Sequence, residues 1–223
     1  QLAVAERILR RRKAEELMAD GVTIIDPHTT FIDAEVRVGM DTVIYPFTFL
    51  EGSTVIGTDC EIGPNVRFQD MVIGDNVKAH YVYAHDAEVE NGAELGQFNH
   101  IRPDSHIGAG VKMGNFVEVK NSNIGAGSKL PHLSYIGDCD LGAHVNMGCG
   151  TITVNYDGKQ KFRTVIEDNA FVGCNSNLVA PVTVGEGAYV AAGSTITRDV
   201  PAGTLSVARA RQKEIEGWVD KRK

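Results

Sequence analysis

The six residues Ile56-Gly57-Thr58-Asp59-Cys60-Glu61, followed at once by Ile62, contain the pattern that decides the fold. An apolar residue, usually aliphatic, returns at every sixth position in three long frames: Ile32, Val38, Ile44, Leu50, Ile56, Ile62 and Phe68; Val89, Leu95, Ile101, Ile107, Met113 and Val119; Ile166, Val172, Leu178, Val184, Val190 and Ile196. A period of six fits neither a helix nor an alternating strand. It indicates a solenoid, because fixed self-similarity is the signature of repeat architectures.

A repeat of six is typical of a coil with three short faces, each of which contributes one aliphatic side chain to the interior. We therefore predict an all-β chain that forms a parallel β-helix, with about nine coils between residues 32 and 200. Glycine at the second position, as at Gly57, is predicted to occupy a strained corner. The fifth position, as at Cys60, must be small. The alternative is an ordinary β-sandwich, which would not hold a six-residue register over this length.

The beginning of the chain leaves the repeat. Residues 1–20 have apolar side chains at helical spacing, with the basic run Arg10–Lys13 on the polar side and Gly21 as a stop signal. The sequence starts at Gln1 inside this predicted helix. We therefore expect a linker helix that connects to a domain missing upstream.

The repeat domain is predicted over residues 21–204, and one segment inside it breaks the frame. This segment, 154–164, contains aromatic and cationic residues and a turn at Asp157-Gly158. We predict an extruded loop there, and a loop on a smooth-sided solenoid is where function tends to lie. Residues 205–223 form a charged tail, in which Lys213–Trp218 has the pattern of a short helix.

Composition excludes several classes of function. The 223-residue chain has a net charge of −7 and no basic stripe, which argues against nucleic-acid binding. No apolar run approaches the length of a membrane span, and nothing indicates secretion, so we expect a cytoplasmic protein without membrane insertion. The four cysteines follow no metal spacing and are expected as reduced thiols: Cys60, Cys139, Cys149 and Cys174.

Seven histidines raise the question of a metal site or a catalytic base. A hexapeptide prism can bind zinc through three histidines, as in the carbonic anhydrases of this fold. The pair His80 and His85 lacks the required third histidine about two coils earlier, near residue 44, so we predict no metal. His132 lies two residues after the aliphatic position Leu130 and should point outward. Imidazole titrates near neutrality, which suits a general base acting on an amine.

Motifs outside the repeat follow one another in a fixed order: Arg102-Pro103, Gly114-Asn115-Phe116-Val117-Glu118-Val119-Lys120, Lys129-Leu130-Pro131-His132-Leu133-Ser134-Tyr135-Ile136-Gly137-Asp138, Asn146-Met147-Gly148-Cys149-Gly150-Thr151, Val154-Asn155-Tyr156-Asp157-Gly158 and Phe171-Val172-Gly173-Cys174. With this set the chain resembles the C-terminal half of the bifunctional bacterial N-acetylglucosamine-1-phosphate uridyltransferase/glucosamine-1-phosphate acetyltransferase family. The resemblance covers essentially the whole chain, and the ordered motifs carry it more specifically than the repeats.

The resemblance implies a left-handed β-helix that forms a homotrimer with its sites between neighbouring prisms. Most parallel crossovers are right-handed, so the hand follows from the resemblance alone. The implied reaction transfers acetyl from acetyl-CoA to the amino group of glucosamine 1-phosphate. The product would feed the uridyltransferase half, absent here, to give UDP-N-acetylglucosamine for cell-wall synthesis. The resemblance implies no metal for this half and magnesium only for the missing one.

Carried over by position, the resemblance implies His132 as general base. The residues implied for the sugar phosphate are Arg102, Lys120, Tyr135, Asn146 and, less specifically, Glu118. A guanidinium fork and an ammonium suit a phosphate dianion. Those implied for the coenzyme are Cys149, Asn155, Tyr156, Cys174, Ala192 and Arg209. Cys174 departs from the family, in which many members carry serine or another small residue there, and its thiol is expected to be sensitive to alkylation.

Two other readings stay open from the sequence. One is an acyltransferase of the same fold with a different acceptor, and the pair Arg102 and Lys120 favours a phosphorylated one. The other is a non-catalytic trimer that serves as a scaffold. For the enzyme we expect direct transfer in a ternary complex, because no cysteine or serine is placed in the sequence as an acyl carrier.

Overall fold

The computed structural model of the chain describes residues 1–222 and begins with one α-helix, α1 (Leu2–Ala19). The rest is a stack of short strands in parallel ladders. Ala14 and Leu17 of α1 are each 3% exposed and belong to the hydrophobic core. The predicted fold class is confirmed: a left-handed parallel β-helix of hexapeptide repeats with an N-terminal helix.

The strands form three faces of a prism. Face 1 contains Thr23–Ile24, Val43–Ile44, Glu61–Ile62, Lys78–Ala79, Glu94–Leu95, Asn146–Met147, Phe171–Val172, Tyr189–Val190 and Leu205–Ser206. Face 2 contains Phe31–Ile32, Phe49–Glu51, Arg67–Gln69, Val82–His85, Asn99–Ile101, Ile152–Val154, Asn177–Val179 and Thr195–Ile196. Face 3 contains Arg37–Val38, Val55–Ile56, Val72–Ile73, Ala87–Val89, Ser105–Ile107, Asn123–Ile124, Cys139–Leu141, Thr164–Ile166 and Val182–Val184. Two longer strands cross from face 1 to face 2: Lys112–Lys120 and Lys129–Gly137.

Equivalent residues of successive coils stand opposite one another. Ile44 pairs with Ile62 on face 1, and Leu50 pairs with Phe68 on face 2. All four side chains are fully buried, so the repeat builds continuous columns of hydrophobic side chains inside the prism. Neighbouring strands lie about 4.8 Å apart. Outward-facing residues of successive coils therefore also form columns, and these columns position the candidate site.

The expectation that second-position glycines occupy strained corners is wrong for Gly57, although Gly63, which is also at a second position, has a φ of 103°. Gly57 lies outside the positive-φ region, and a Cβ at this residue would lie 2.7 Å from the carbonyl carbon and oxygen of Gly74 in the next coil. The glycine is needed because consecutive coils approach too closely for a side chain. The left-handed corner falls at the fourth position instead, as at Asp59 with a φ of 57°. Aspartate and asparagine tolerate this region better than most residues.

The C-terminal end differs from the prediction in two ways. The β-helix continues past residue 204, because Leu205–Ser206 pairs with Tyr189–Val190. The short helix predicted at Lys213–Trp218 is wrong, and the only helical turn there is a 3₁₀ turn at Asp220–Arg222, within the described residues. Gly217 has a φ of 66°, which an α-helix cannot contain, and the exposed segment has no packing to stabilise so short a helix.

Lys223, the last residue of the predicted tail, lies outside the described residues. Between residues 1 and 222 no helix combines the length and the apolar character that a membrane crossing requires.

Candidate active site

Two cationic side chains stand on consecutive coils at one edge of face 2. Arg102 follows the strand Asn99–Ile101, and Lys120 ends the strand on the next coil. The backbone N–H of Arg102 donates to the carbonyl oxygen of Val119 at 2.9 Å, which places Arg102 and Lys120 in one column. The structure thus brings together the two residues predicted for a phosphate, although 18 positions separate them in the sequence.

Glu118 holds Arg102 in place. Nη1 of Arg102 donates to Oε1 of Glu118 at 2.9 Å, and the two side chains are 38% and 39% exposed. An ion pair this exposed stabilises by only about 0–1 kcal/mol. Arg102 can therefore turn from Glu118 to a more highly charged ligand at little cost. The sequence did not fix a role for Glu118. In the isolated chain, Glu118 is the ion-pair partner of Arg102.

Tyr135 lies across face 2, one coil above Glu118. A Cβ at Gly137 would collide with the hydroxyl of Tyr135 and with the side-chain amide of Asn155. Gly137 itself stands directly opposite Lys120 on the neighbouring coil. The absence of a side chain at Gly137 is what lets the phenol reach the edge of face 2 on which the cations stand.

The loop predicted at 154–164 folds back as a small hairpin. Tyr156 and Lys161 form an antiparallel bridge, and the carboxylate of Asp157 accepts the backbone N–H of Gln160 at 2.8 Å. The backbone N–H of Phe162 donates to the carbonyl oxygen of Asn155 at 2.8 Å. The loop is therefore an ordered structure that leaves and rejoins the prism at one place.

Ion pairs and amides attach this loop to the coils beneath it. Arg163 donates from Nε and Nη2 to the two carboxylate oxygens of Asp140, each at 2.5 Å, and from Nη1 to the carbonyl of Asn121 at 3.1 Å. Hydrogen bonding from Arg163 lowers the pKa of Asp140. Asn155 is 8% exposed and its amide donates to the carboxylate of Asp138. Asn155, predicted for the coenzyme, thus serves within one chain to fix the base of the loop.

The attached loop brings a third cation to the pair on face 2. The nearby ammonium of Lys161 is the largest cause that lowers the pKa of Lys120. Desolvation and the charge of Arg102 act in the same direction, whereas Asp138 opposes them. We call Arg102, Lys120 and Lys161 the cationic cluster. Like charges held together in this way are a sign of an anion site.

Sequence reasoning missed Lys161. The sequence shows that the loop is cationic, but the loop contains Lys159, Lys161 and Arg163, and nothing in their spacing tells which one turns toward the prism. The selection depends on the path of the loop, which the contacts of Arg163 and Asn155 determine.

Replacing Lys161 by glutamine should raise the melting temperature of the ligand-free protein by about 1–2 °C at neutral pH, because it removes repulsion from Lys120. A lysine pKa lowered on folding means that the unfolded state binds the proton more tightly. The repulsion therefore destabilises the folded protein to its full extent at every pH below the pKa of Lys120 in the folded state. It disappears as pH rises above the ordinary lysine value, roughly 10.4. The measurement is thermal unfolding of both proteins from pH 7 to pH 11.

Lys159→Gln is the matched control, since it removes the same charge from an exposed position of the same loop. It should leave the melting temperature unchanged. An equal rise for both variants would trace the effect to overall charge, and a fall for Lys161→Gln would contradict the repulsion itself.

A second set of predicted residues lies along the edge between faces 1 and 2. This set contains His132, Cys149, Cys174 and Ala192, and together with Asn115, for which the sequence predicted no role, we call it the corner column. Asn115 pairs with His132 across adjacent strands. The register of the higher coils follows from the backbone N–H groups of Gly150, Asn175 and Gly193, each of which donates to a carbonyl of the coil below. His132, Cys149, Cys174 and Ala192 therefore stand one above another, about 4.8 Å apart.

The remaining predicted residues lie at three places. Nη1 of Arg209 donates to the carbonyl oxygen of Ala192 at 2.6 Å, so Arg209 reaches the top of the corner column. Asn146 lies on face 1, opposite Phe171. Tyr156 projects from the loop with 57% of its surface exposed. The corner column and Arg209 thus form one continuous edge of the prism.

Within one prism, the cationic cluster and the predicted base His132 lie at opposite edges of face 2. His132 and Gly137 begin and end one stretch of strand, so the corner column and the column of Lys120 lie up to about 16 Å apart. Face 2 lies between them.

Among residues 1–222, no group of three or more histidine, cysteine, aspartate or glutamate side chains is arranged to hold a metal ion.

Known proteins share both the repeat and the sequence. Residues 163–198 match the bacterial transferase hexapeptide family (six repeats). The bifunctional protein GlmU of Geobacillus sp. (strain WCH70) is 60% identical over 220 residues, which are 99% of this chain and 48% of that protein. GlmU of Caldanaerobacter subterraneus subsp. tengcongensis is 59% identical over 100% of this chain and 49% of its own. The structure of Francisella novicida UDP-N-acetylglucosamine acyltransferase is 17% identical and covers 83% of this chain and 67% of that chain, with a TM-score of 0.46.

The parallel ladders and the six-residue repeat define a hexapeptide-repeat protein of the parallel β-helix class. Over its whole length the chain is similar to the bifunctional protein GlmU. It spans about half the length of the relatives that it matches.

Proposed function

We propose that the chain transfers an acetyl group from acetyl-CoA to the amino group of glucosamine 1-phosphate. The cationic cluster is the observation that carries this proposal. Three cations at the edge of face 2 suit a phosphate dianion, because charge-assisted hydrogen bonds to phosphate are the strong ones. The identity with half of a bifunctional protein and the motifs around His132 support the same activity. The product would serve cytoplasmic synthesis of UDP-N-acetylglucosamine for the cell wall.

His132 is proposed to take the proton that the amine must lose to attack. It is exposed and stands in the corner column between Asn115 and Cys149. The amine adds to the thioester carbonyl, and the tetrahedral oxyanion then collapses to expel the thiolate of coenzyme A. Positioning both substrates in one groove supplies much of the rate, since oriented reactants avoid the entropy cost of encounter. Acetyl passes directly from donor to acceptor.

The edge between faces 1 and 2 supports the proposal of a homotrimer. Up to Leu133, beside His132, five of its left-handed corner positions carry large apolar side chains, and Asn65 interrupts the series between the first two. All five have positive φ and are at least 37% exposed: Phe47, Tyr81, Phe98, Phe116 and Leu133. Phe98 and Phe116 stack with ring centroids 5.1 Å apart. A cavity of about 780 Å³ adjoins this ridge. A large exposed apolar surface of this kind favours association, and we propose that neighbouring prisms pack along it.

Above His132 the same corner positions carry Gly150, Asn175 and Gly193. The apolar ridge therefore ends at Leu133, and a notch continues upward beside the corner column. We propose that this notch admits the pantetheine arm of the coenzyme, with Arg209 available to a phosphate. The cationic cluster of one prism would then face the corner column of its neighbour. This arrangement would unite the phosphate ligands with His132 in one site between subunits.

The test is release of free thiol from acetyl-CoA with glucosamine 1-phosphate, glucosamine 6-phosphate or glucosamine as acceptor. We expect release with the 1-phosphate alone, and none from the His132→Ala variant. Release with a different acceptor would overturn the substrate while keeping an acyltransferase. No release from a folded trimer with any acceptor would establish the scaffold reading, and ping-pong initial rates would overturn the ternary complex.

A further inference from the structure

The four thiols of the chain divide into two pairs with opposite properties. Cys60 and Cys139 are 1% and 0% exposed and belong to the hydrophobic core. Burial raises the pKa of Cys139 to about 12, which keeps it a thiol at any physiological pH. Cys174 is exposed and Cys149 is partly exposed. Only the second pair is open to reagents in solution.

Cys149 and Cys174 occupy the same position of consecutive coils. Met147 pairs with Val172, so the residues two places further on also stand opposite each other. The N–H of Asn175 donates to the carbonyl oxygen of Cys149 at 2.7 Å, which confirms that register. Both cysteines precede a residue with positive φ, at 73° for Gly150 and 55° for Asn175, so their backbones turn in the same way.

This juxtaposition meets the geometric requirement of a disulfide. Neighbouring strands lie about 4.8 Å apart, and disulfide-bonded residues have Cα separations of about 4.4–6.8 Å. Two side chains that leave matching backbone positions in parallel bring their sulfur atoms side by side. Sequence alone does not show this, because the hairpin of 154–164 lies between the two cysteines.

We infer that Cys149 and Cys174 form a reversible disulfide when the protein meets a hydroperoxide. The exposed Cys174 attacks the peroxide as thiolate, so that the O–O bond breaks, an alcohol or water leaves, and Cys174 becomes a sulfenic acid. The sulfur of Cys149 then attacks that of Cys174, the S–S bond forms, and a second water leaves. The pair gives up two electrons, which the peroxide accepts. His132, next in the corner column, can accept the proton of Cys149.

The disulfide would also control the proposed activity, a consequence that rests on the proposed function. Both cysteines line the notch proposed for the pantetheine arm. A covalent link between adjacent coils would replace two small thiols by a rigid bridge across its floor. Oxidised protein should then lose binding of coenzyme A, and a dithiol reductant should restore it.

The experiment treats the full chain with hydrogen peroxide, blocks free thiols with iodoacetamide under denaturing conditions, and maps the peptides by mass spectrometry. We expect a linked peptide of Cys149 with Cys174, absent after dithiothreitol, and alkylated Cys60 and Cys139. Recovery of Cys149 and Cys174 as alkylated thiols or as separate sulfinic acids would overturn the inference. The Cys174→Ser and Cys149→Ser variants should yield no linked peptide.

Calorimetry with coenzyme A separates this inference from the proposed function. Reduced wild-type protein should bind and oxidised protein should not, whereas Cys174→Ser should bind equally before and after peroxide. A linked peptide establishes the disulfide whether or not coenzyme binds. Reduced protein that fails to bind coenzyme A would overturn the proposed function alone, and oxidised protein that still binds would overturn the control of the notch.

Discussion

Replacing His132 by glutamine is expected to lower the rate of acetyl transfer by about 10²- to 10⁴-fold, the usual contribution of a positioned general base. Glutamine is polar and similar in reach, but it cannot take a proton from the amine. His132 is exposed and lies outside the buried columns of hydrophobic side chains, so the β-helix should fold without it. The decisive measurement is the rate of thiol release at saturating concentrations of both substrates.

The matched control for this change is His106→Gln. His106 lies on face 3, away from both the cationic cluster and the corner column, and pairs with Glu90 at 3.0 Å. Its replacement should change the rate by less than about twofold, because an exposed ion pair contributes little. A His132→Gln variant within tenfold of the wild-type rate would exclude His132 as the base.

Replacing Lys120 or Arg102 by alanine should each lower kcat/KM for glucosamine 1-phosphate by about 10- to 100-fold. A hydrogen bond to a charged group contributes about 1.5–3 kcal/mol, and 1.4 kcal/mol corresponds to a factor of ten. The loss should appear mainly in KM for the acceptor, since the phosphate does not react. Arg102→Lys should restore only part of it, because lysine cannot form a bidentate fork.

Two comparisons decide whether the loss concerns the phosphate. The KM for acetyl-CoA should be unaffected by either change, and an equal rise of KM for both substrates would contradict a phosphate site. Lys112→Ala is the matched control, since Lys112 lies on the same strand as Lys120 but on face 1, paired with Glu94 at 3.0 Å. It should leave kcat/KM within about twofold.

The cationic cluster also explains why a destabilising contact persists in the folded chain. Lys161 lowers the pKa of Lys120, so the ligand-free protein folds against their repulsion. A bound phosphate would convert that repulsion into attraction. The same feature should thus reduce stability without ligand and increase affinity for an anion, as is common at functional sites.

Much of the site could be read from the sequence because the repeat is regular. Three sides of six residues make one coil of 18, so Arg102 and Lys120, 18 positions apart, are aligned on consecutive coils. His132 and Cys149 are 17 positions apart, and they are aligned once one residue is missing from the coil between them. Interior and exterior positions follow in the same way. The reason assigned to the glycines was wrong because close approach of coils, as at Gly57 and Gly74, is a contact between distant residues.

The sequence by itself determined the parallel β-helix, the apolar residues that fill its interior and the existence of a loop at 154–164. These properties depend on a local period that every coil repeats. Only the tertiary structure decided that Lys161 meets Lys120, that Asn155 fixes the base of the loop and that Cys149 stands beside Cys174. The loop has no period. Its path, and the pairing of the coils that it joins, are determined by long-range contacts such as those of Arg163 with Asp140.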